Sequence, residues 1–288
     1  MRVHVVGVGK MGLPMAGHFR RGGHAVSVSD VDAQRLQLAR AQGLEVAEAE
    51  VGIAAAEVIL SSLPHDAVLL EVGAQVARHA RRGAVYVDTS TVSQEASARV
   101  AALCEAAGVR HVRATVSGNN HMAEAAQLTV MASGPRAAYD EVLPLLQRLG
   151  PQQFWLGEGE QARLMKLVVN LMIAQTSAML AEALALGSKG GLDWRDMFRV
   201  LGASAVGSPI LKAKAQQLAE HDFTPTFTVE QMIKDVGLIL QAAAALHVPL
   251  PQTAATQQML HAAVAQGLGS EDYAAIIKTA ARGAGMEG

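Results

Sequence analysis

Through its first 156 positions the chain alternates short β-branched runs with longer stretches of helical period, and after position 160 the short runs cease. The runs fall at 3–6, 25–29, 58–61, 85–88, 109–113, 128–132 and 153–156. The stretches between them predict helices at 11–21, 32–42, 66–80, 93–107 and 135–148. Such alternation predicts an α/β fold with a mainly parallel, doubly wound sheet and ligands beyond the C-terminal strand ends. Gly157 and Gly159 open the second half, and no Gly or Pro follows until Gly187, so 160–186 is predicted as one helix. At about 1.5 Å per residue it is about 40 Å long. Further helices are predicted at 193–203, 208–220, 229–246, 251–266 and 271–281, with Asp193 and Ser270 as N-caps and Pro209 and Pro251 in first turns. The pattern thus divides the chain into a domain over 1–160 and an all-α domain over 161–288, with the long helix as the junction and a cleft expected at its first turns.

Chemistry-bearing residues gather at the predicted strand ends. The first strand runs into Gly7-Val8-Gly9-Lys10-Met11-Gly12 and then a helix. A bare Gly-x-Gly-x-x-Gly is weak, but this one sits between strand and helix, and a second strand ends at Asp30. Gly7 permits the tight turn, Gly9 lets backbone approach a pyrophosphate, and Gly12 lets helix and strand pack closely. The helix N-terminus offers N–H groups to phosphates. Asp30 would accept from the adenosine ribose hydroxyls and repel a 2′-phosphate, which favours NAD over NADP. The first domain is therefore expected to be a Rossmann domain. Leu63-Pro64 and Asp88-Thr89-Ser90-Thr91 lie where they could border the nicotinamide. Ser117 with the N–H groups of Gly118 and Asn119 is either a carboxylate cradle or an ordinary polar turn. Lys166 and Asn170 are four apart, on one face of the long helix; read alone they are a snorkelling Lys and a solvated Asn. Lys234-Asp235 either reaches back toward the cleft or is a solvated pair.

Composition narrows the classes. A formal charge of −2 carries no basic excess, so nucleic acid is not an expected partner. The single Cys104 cannot form an internal disulfide, and its helical, Ala-rich surroundings predict a buried thiol and a cytoplasmic setting. The N-terminal stretch has no apolar core of a signal peptide, and the apolar window 164–187 carries Lys166, Asn170, Gln175 and Glu182, so neither export nor a membrane span is expected. The ten His show no metal-ligand spacing, and no metal site is expected. With half its residues hydrophobic, the chain is expected to cover an apolar face by forming a homodimer or homotetramer.

Several motifs recur in order along the chain: Gly7 to Met15, Leu63-Pro64, Asp88-Thr89-Ser90-Thr91, Val116-Ser117-Gly118, Gly157-Glu158-Gly159 through Lys166 and Asn170, and Lys234-Asp235. In these the whole chain resembles the β-hydroxyacid dehydrogenases, the group around 3-hydroxyisobutyrate dehydrogenase and tartronate semialdehyde reductase, with 6-phosphogluconate dehydrogenase as a larger cousin. The resemblance implies an enzyme that transfers a hydride between nicotinamide and the carbinol or carbonyl carbon of a small β-hydroxy acid or semialdehyde. It implies Lys166 as general acid and base, with Asn170 holding substrate and lysine. It assigns the substrate carboxylate to Ser117, Gly118 and Asn119. Cofactor contacts are implied at Gly7, Gly9, Lys10, Met11, Gly12, Asp30, Leu63, Pro64, Thr91 and Lys234. Where the family usually reads Asp-Ala-Pro-Val-Ser-Gly-Gly, this chain reads Arg113-Ala114-Thr115-Val116-Ser117-Gly118-Asn119, and Met122 stands where Gly is common. These departures are expected to reshape the substrate pocket. Two other readings stay open: a reductase of larger aldehydes or of imines, the imine version being the one Lys166 argues against, and a dinucleotide-binding protein without turnover.

Overall fold

The computed structural model describes residues 1–286. It divides into two compact units, Met1–Lys166 and Leu167–Gly288. In the first, β1 (Arg2–Val6), α1 (Gly12–Arg21), β2 (Ala25–Ser29), α2 (Ala33–Ala41), β3 (Glu45–Val46), α3 (Ala49–Ala55), β4 (Val58–Ser61) and α4 (Asp66–His79) lead on to β5 (Val85–Asp88) and α5 (Gln94–Ala107). Then come β6 (Arg110–Ser117), α6 (Asn120–Glu124), β7 (Thr129–Ser133), α7 (Arg136–Leu146) and β8 (Gln152–Trp155). The eight strands form one sheet in the order β3-β2-β1-β4-β5-β6-β7-β8, parallel except where β7 meets β6. Residues alternate between its faces. Val3, Val5, Val28 and Val87 pack with α1, α2 and α7, while Ile59 and Tyr86 pack with α3, α4 and α5. Cys104, in α5, is fully buried, which pushes its thiol up to about 12.

The run predicted to stop at 113 continues as strand to Ser117, so Arg113 to Val116 is not part of a turn. Period 2 explains it: Arg113 and Thr115 point one way, Ala114 and Val116 into the opposite core. Register then lines up Ser61, Asp88, Arg113 and Ser133 as neighbours across β4, β5, β6 and β7. All four are buried, forming a polar row at the end of the sheet.

The helix α8 (Gln161–Lys189) runs three residues past 186. Gly187 does not stop it; a Cβ there would lie 2.1 Å from Met197 Sδ, so this glycine serves a close helix approach. The chain turns instead at Gly191, at φ +85°. α8 is long and apolar enough to cross a membrane by length and composition. Yet Arg163, Asn170 and Ser177 on it are buried in protein, unlike residues of a lipid-facing span. The second unit continues with α9 (Trp194–Ala203), α10 (Pro209–Ala219), α11 (Val229–Ala245), α12 (Pro251–Ala265), a 3₁₀ turn (Tyr273–Ala275) and α13 (Ile276–Gly283) around its own apolar core. Asp193 caps α9, and Pro209 and Pro251 open α10 and α12. Ser270 is not a cap; Asp272 takes that place, accepting from Ala274 N at 3.1 Å.

Two histidines are sealed into the sheet. His4 lies between Ser27 Oγ (2.9 Å) and Ser29 Oγ (3.0 Å), and burial lowers its pKa from 6.5 to about 4. His111 stacks on Tyr86 at 5.1 Å, and burial, then Arg113 and Arg163, hold it well below the usual range. The unfolded chain binds protons that native His4 refuses, so no penalty exists above pH 6.5 and one grows as pH falls toward 4. For His4 it reaches about 3 kcal/mol at 1.36 kcal/mol per pKa unit. Urea unfolding of His4→Gln between pH 7 and 4.5 should therefore lose about 2–3 kcal/mol less than the parent loses. Equal losses would show that His4 is not the group responsible.

Candidate active site

Backbone geometry explains each glycine of the first turn. Gly7 has φ +86°, and a Cβ there would come within 2.5 Å of Ser62 O. At Gly12 a Cβ would lie 2.0 Å from Gly7 O, so helix and strand could not close. Above Gly9 only the Arg35 guanidinium approaches, 3.7 Å from a Cβ position, which leaves room for a ligand. No side chain caps the N-terminus of α1. Asp30 accepts from Val8 N at 2.7 Å and from Asp32 N at 2.9 Å, so its carboxylate is fixed against the turn. Lys10 is exposed and Met11 half-buried at the turn's rim. The Leu63 side chain lies 3.4 Å from a Cβ position on Gly7. Its N–H donates to Ser90 Oγ at 2.9 Å, tying the loop after β4 to that after β5. Pro64 is exposed and Thr91 half-buried in those loops. The carboxyl ends of β1, β2, β4 and β5 thus gather the expected first-unit cofactor residues. An open glycine turn, an uncapped helix end and an anchored acid fit a dinucleotide.

Ser117 ends β6, and Gly118 follows at φ +135°. Asn119 Oδ1 accepts from Met122 N at 3.0 Å, capping α6, so its side-chain oxygen serves the loop itself. Met122 Sδ lies 3.2 Å from a Cβ position on Gly118, so this departure does border the turn. His18 Nε2 donates to Ala123 O at 2.8 Å and holds α6 against α1. The departures at Arg113 and Thr115 serve another purpose. Both are buried, and they bind the start of α8: Arg113 pairs with Glu160, and Thr115 Oγ1 donates to Ala162 O at 3.0 Å.

Lys166 is half-buried at the end of the first unit, three residues after Arg163. In the second unit, Asn170 Nδ2 donates to Asp235 Oδ2 at 2.5 Å, and Lys234 Nζ lies 2.8 Å from Asp235 Oδ1. Asp235 is buried, so neither Asn170 nor this ion pair is simply solvated. With its amide nitrogen committed, Asn170 has its carbonyl oxygen left to accept. Sequence reasoning missed Arg163 and the part played by Asp88. Their signal was an arginine at the edge of an apolar window and an acid closing a buried strand, charges that must pair when buried. Among the described residues no cluster of His, Cys, Asp and Glu could hold a metal.

Residues 2–157 match the NAD binding domain of 6-phosphogluconate dehydrogenase, and residues 160–280 match the "NAD-binding of NADP-dependent 3-hydroxyisobutyrate dehydrogenase". The chain is 33% identical to 2-(hydroxymethyl)glutarate dehydrogenase of Eubacterium barkeri, over 96% of this chain and 94% of that protein. It is 29% identical to glyoxylate/succinic semialdehyde reductase 1 of Arabidopsis thaliana, over 96% and 98%. The crystal structure of 3-hydroxyisobutyrate dehydrogenase from Salmonella typhimurium superposes with a TM-score of 0.88 at 28% identity, covering 96% of this chain and 99% of that one.

Proposed function

The chain belongs to the β-hydroxyacid dehydrogenase family and is an NAD(P)-dependent hydroxyacid dehydrogenase; within that class we propose an NAD-preferring enzyme for a small β-hydroxy acid, with Lys166 as general acid and base. One observation carries the reading: the glycine turn, the anchored Asp30, the Ser117-Gly118-Asn119 turn and Lys166 all belong to one compact unit. The bound dinucleotide supplies the acceptor for the carbinol hydrogen and its electron pair. Ser117 and the N–H groups of Gly118 and Asn119 take the substrate carboxylate and fix its orientation. Lys166 Nζ removes the hydroxyl proton and, in the reverse direction, returns one to the developing alkoxide. In the second unit, Asp235 orients the Asn170 amide and leaves its Oδ1 available as an acceptor.

Asp30 is the basis for NAD, but Arg35 beside Gly9 favours the other reading, a 2′-phosphate held by its guanidinium. An assay of NAD and NADP reduction over a panel of short β-hydroxy acids, with imines and bulky aldehydes as controls, decides both questions. We expect turnover of the hydroxy acids and a higher kcat/KM with NAD. Asp30→Asn should lower that for NAD by about 10–100-fold, the worth of a hydrogen bond to a charged group, and that for NADP much less. A parent enzyme that prefers NADP would assign the discrimination to Arg35, and turnover confined to imines or bulky aldehydes would overturn the substrate class.

A further inference from the structure

The polar row of the sheet receives the first turn of α8. Ser133 Oγ donates to Gly159 O at 2.7 Å and accepts from Ala162 N at 3.1 Å. Arg113, next in the row, pairs with Glu160. Asp88, next again, pairs with Arg163, and neither side chain is solvent-exposed. The Arg163 guanidinium has further bonds. Its Nη1 donates to Ser90 O at 2.6 Å and its Nε to Ser97 Oγ at 3.1 Å. Asp88 also accepts from Ser90 Oγ at 2.6 Å and from Ser61 Oγ, which lies 2.8 Å from the Tyr86 hydroxyl. Ser90 Oγ is the group that holds Leu63 N. One guanidinium therefore joins three things: the loop after β5, through it the loop after β4, and the helical turn that precedes Lys166.

An arginine this deep is costly to bury, and an apolar pair of similar volume would pack as well or better. Its retention calls for a reason other than stability. The fork of N–H groups is rigid, so it fixes both the distance and the rotation of the first turn of α8 relative to the loops. Residues three apart share a helix face, so fixing the rotation at Arg163 fixes the direction in which Lys166 leaves the helix. We propose that Arg163 is a positioning residue for Lys166: with Asp88 it holds the cofactor-side loops and the lysine-bearing turn as one rigid piece. This rests on the reading of Lys166 as the acid–base group. A base misplaced by about 1 Å can cost about 100-fold in rate.

The test is a double-mutant cycle on the full chain. Arg163→Lys keeps the charge opposite Asp88 but loses the fork, and Ser97→Ala removes one bond and little else. Each is made alone and with Lys166→Ala, with kcat measured at saturation and NADH affinity by its fluorescence. We expect Arg163→Lys to lower kcat about 10–100-fold and Ser97→Ala less, with NADH affinity changing less than kcat. In the Lys166→Ala background both losses should vanish, because the group being positioned is gone. Should Arg163→Lys fail to fold, the Ser97→Ala cycle decides alone. Equal losses in both backgrounds, or unchanged kcat in the singles, would overturn the proposal while leaving the lysine's role intact. An inert Lys166→Ala would instead overturn the acid–base reading, and the proposal with it.

Discussion

Lys166→Ala should bind NADH as the parent does and turn over about 10²–10⁴-fold more slowly, the usual worth of a positioned acid or base. Binding should survive because the expected contacts of the glycine turn, Asp30 and Leu63 all come from strand ends that the α8 side chain does not build. Turnover should fall because the buried or anchored groups of the first unit are committed elsewhere. Asp88 is committed to Arg163 and two hydroxyls, Asp30 to two backbone N–H groups, and His18 to Ala123 O. The His121 side chain is largely exposed and lies 3.8 Å from Glu124. The variant should also lose whatever limb of the pH–rate profile titrates as an amine. Stopped-flow NADH binding with steady-state kcat across pH 6–10 separates the two effects. A variant with parental kcat would remove Lys166 from the mechanism, whereas one that no longer bound NADH would make it a structural group.

The legible parts of this protein were those where backbone geometry forces a residue type. The glycine turn declared itself because Gly7 must take positive φ and Gly12 must admit Gly7 O, demands that no other residue meets. The parallel sheet was legible because strands buried on both faces read as short β-branched runs. β3, α3 and α6 are two, seven and five residues long, too short to display a period, and they were missed. Gly187 misled because close packing against Met197 and a helix stop use the same residue for different reasons. At Arg113 and Thr115 the departure from the family pattern was legible but its meaning was not. Their targets, Glu160 and Ala162, are 47 residues away in each case, and only the register of β6 aims the side chains at them. Long-range pairing of buried charge leaves no local period, so the Asp88–Arg163 pair, 75 residues apart, stayed hidden as well.

Asp88→Ala should be among the most destabilising single substitutions in the chain, costing about 3–5 kcal/mol, because it strands a buried guanidinium. Arg163 would keep Ser90 O and Ser97 Oγ as acceptors but lose its only counter-charge among the described residues. Ser61 and Ser90 hydroxyls would lose an acceptor at the same time. Against a usual total of about 5–15 kcal/mol, that loss lowers the folded-to-unfolded ratio by about 10²–10⁴. The penalty belongs to the orphaned partner rather than to the worth of the pair, and this can be separated. Asp88→Leu combined with Arg163→Met removes both charges and should recover most of the stability, since nothing charged is left without a partner. Urea unfolding of the parent, the single variant and the double variant reads the difference directly. A stable Asp88→Ala would mean that water reaches Arg163, so that the row is not sealed. A stable double variant with parental kcat would mean that the pair fixes nothing the reaction needs. A stable double variant that turns over slowly is the outcome we expect: the charges then serve the placement of the turn before Lys166 rather than the free energy of folding.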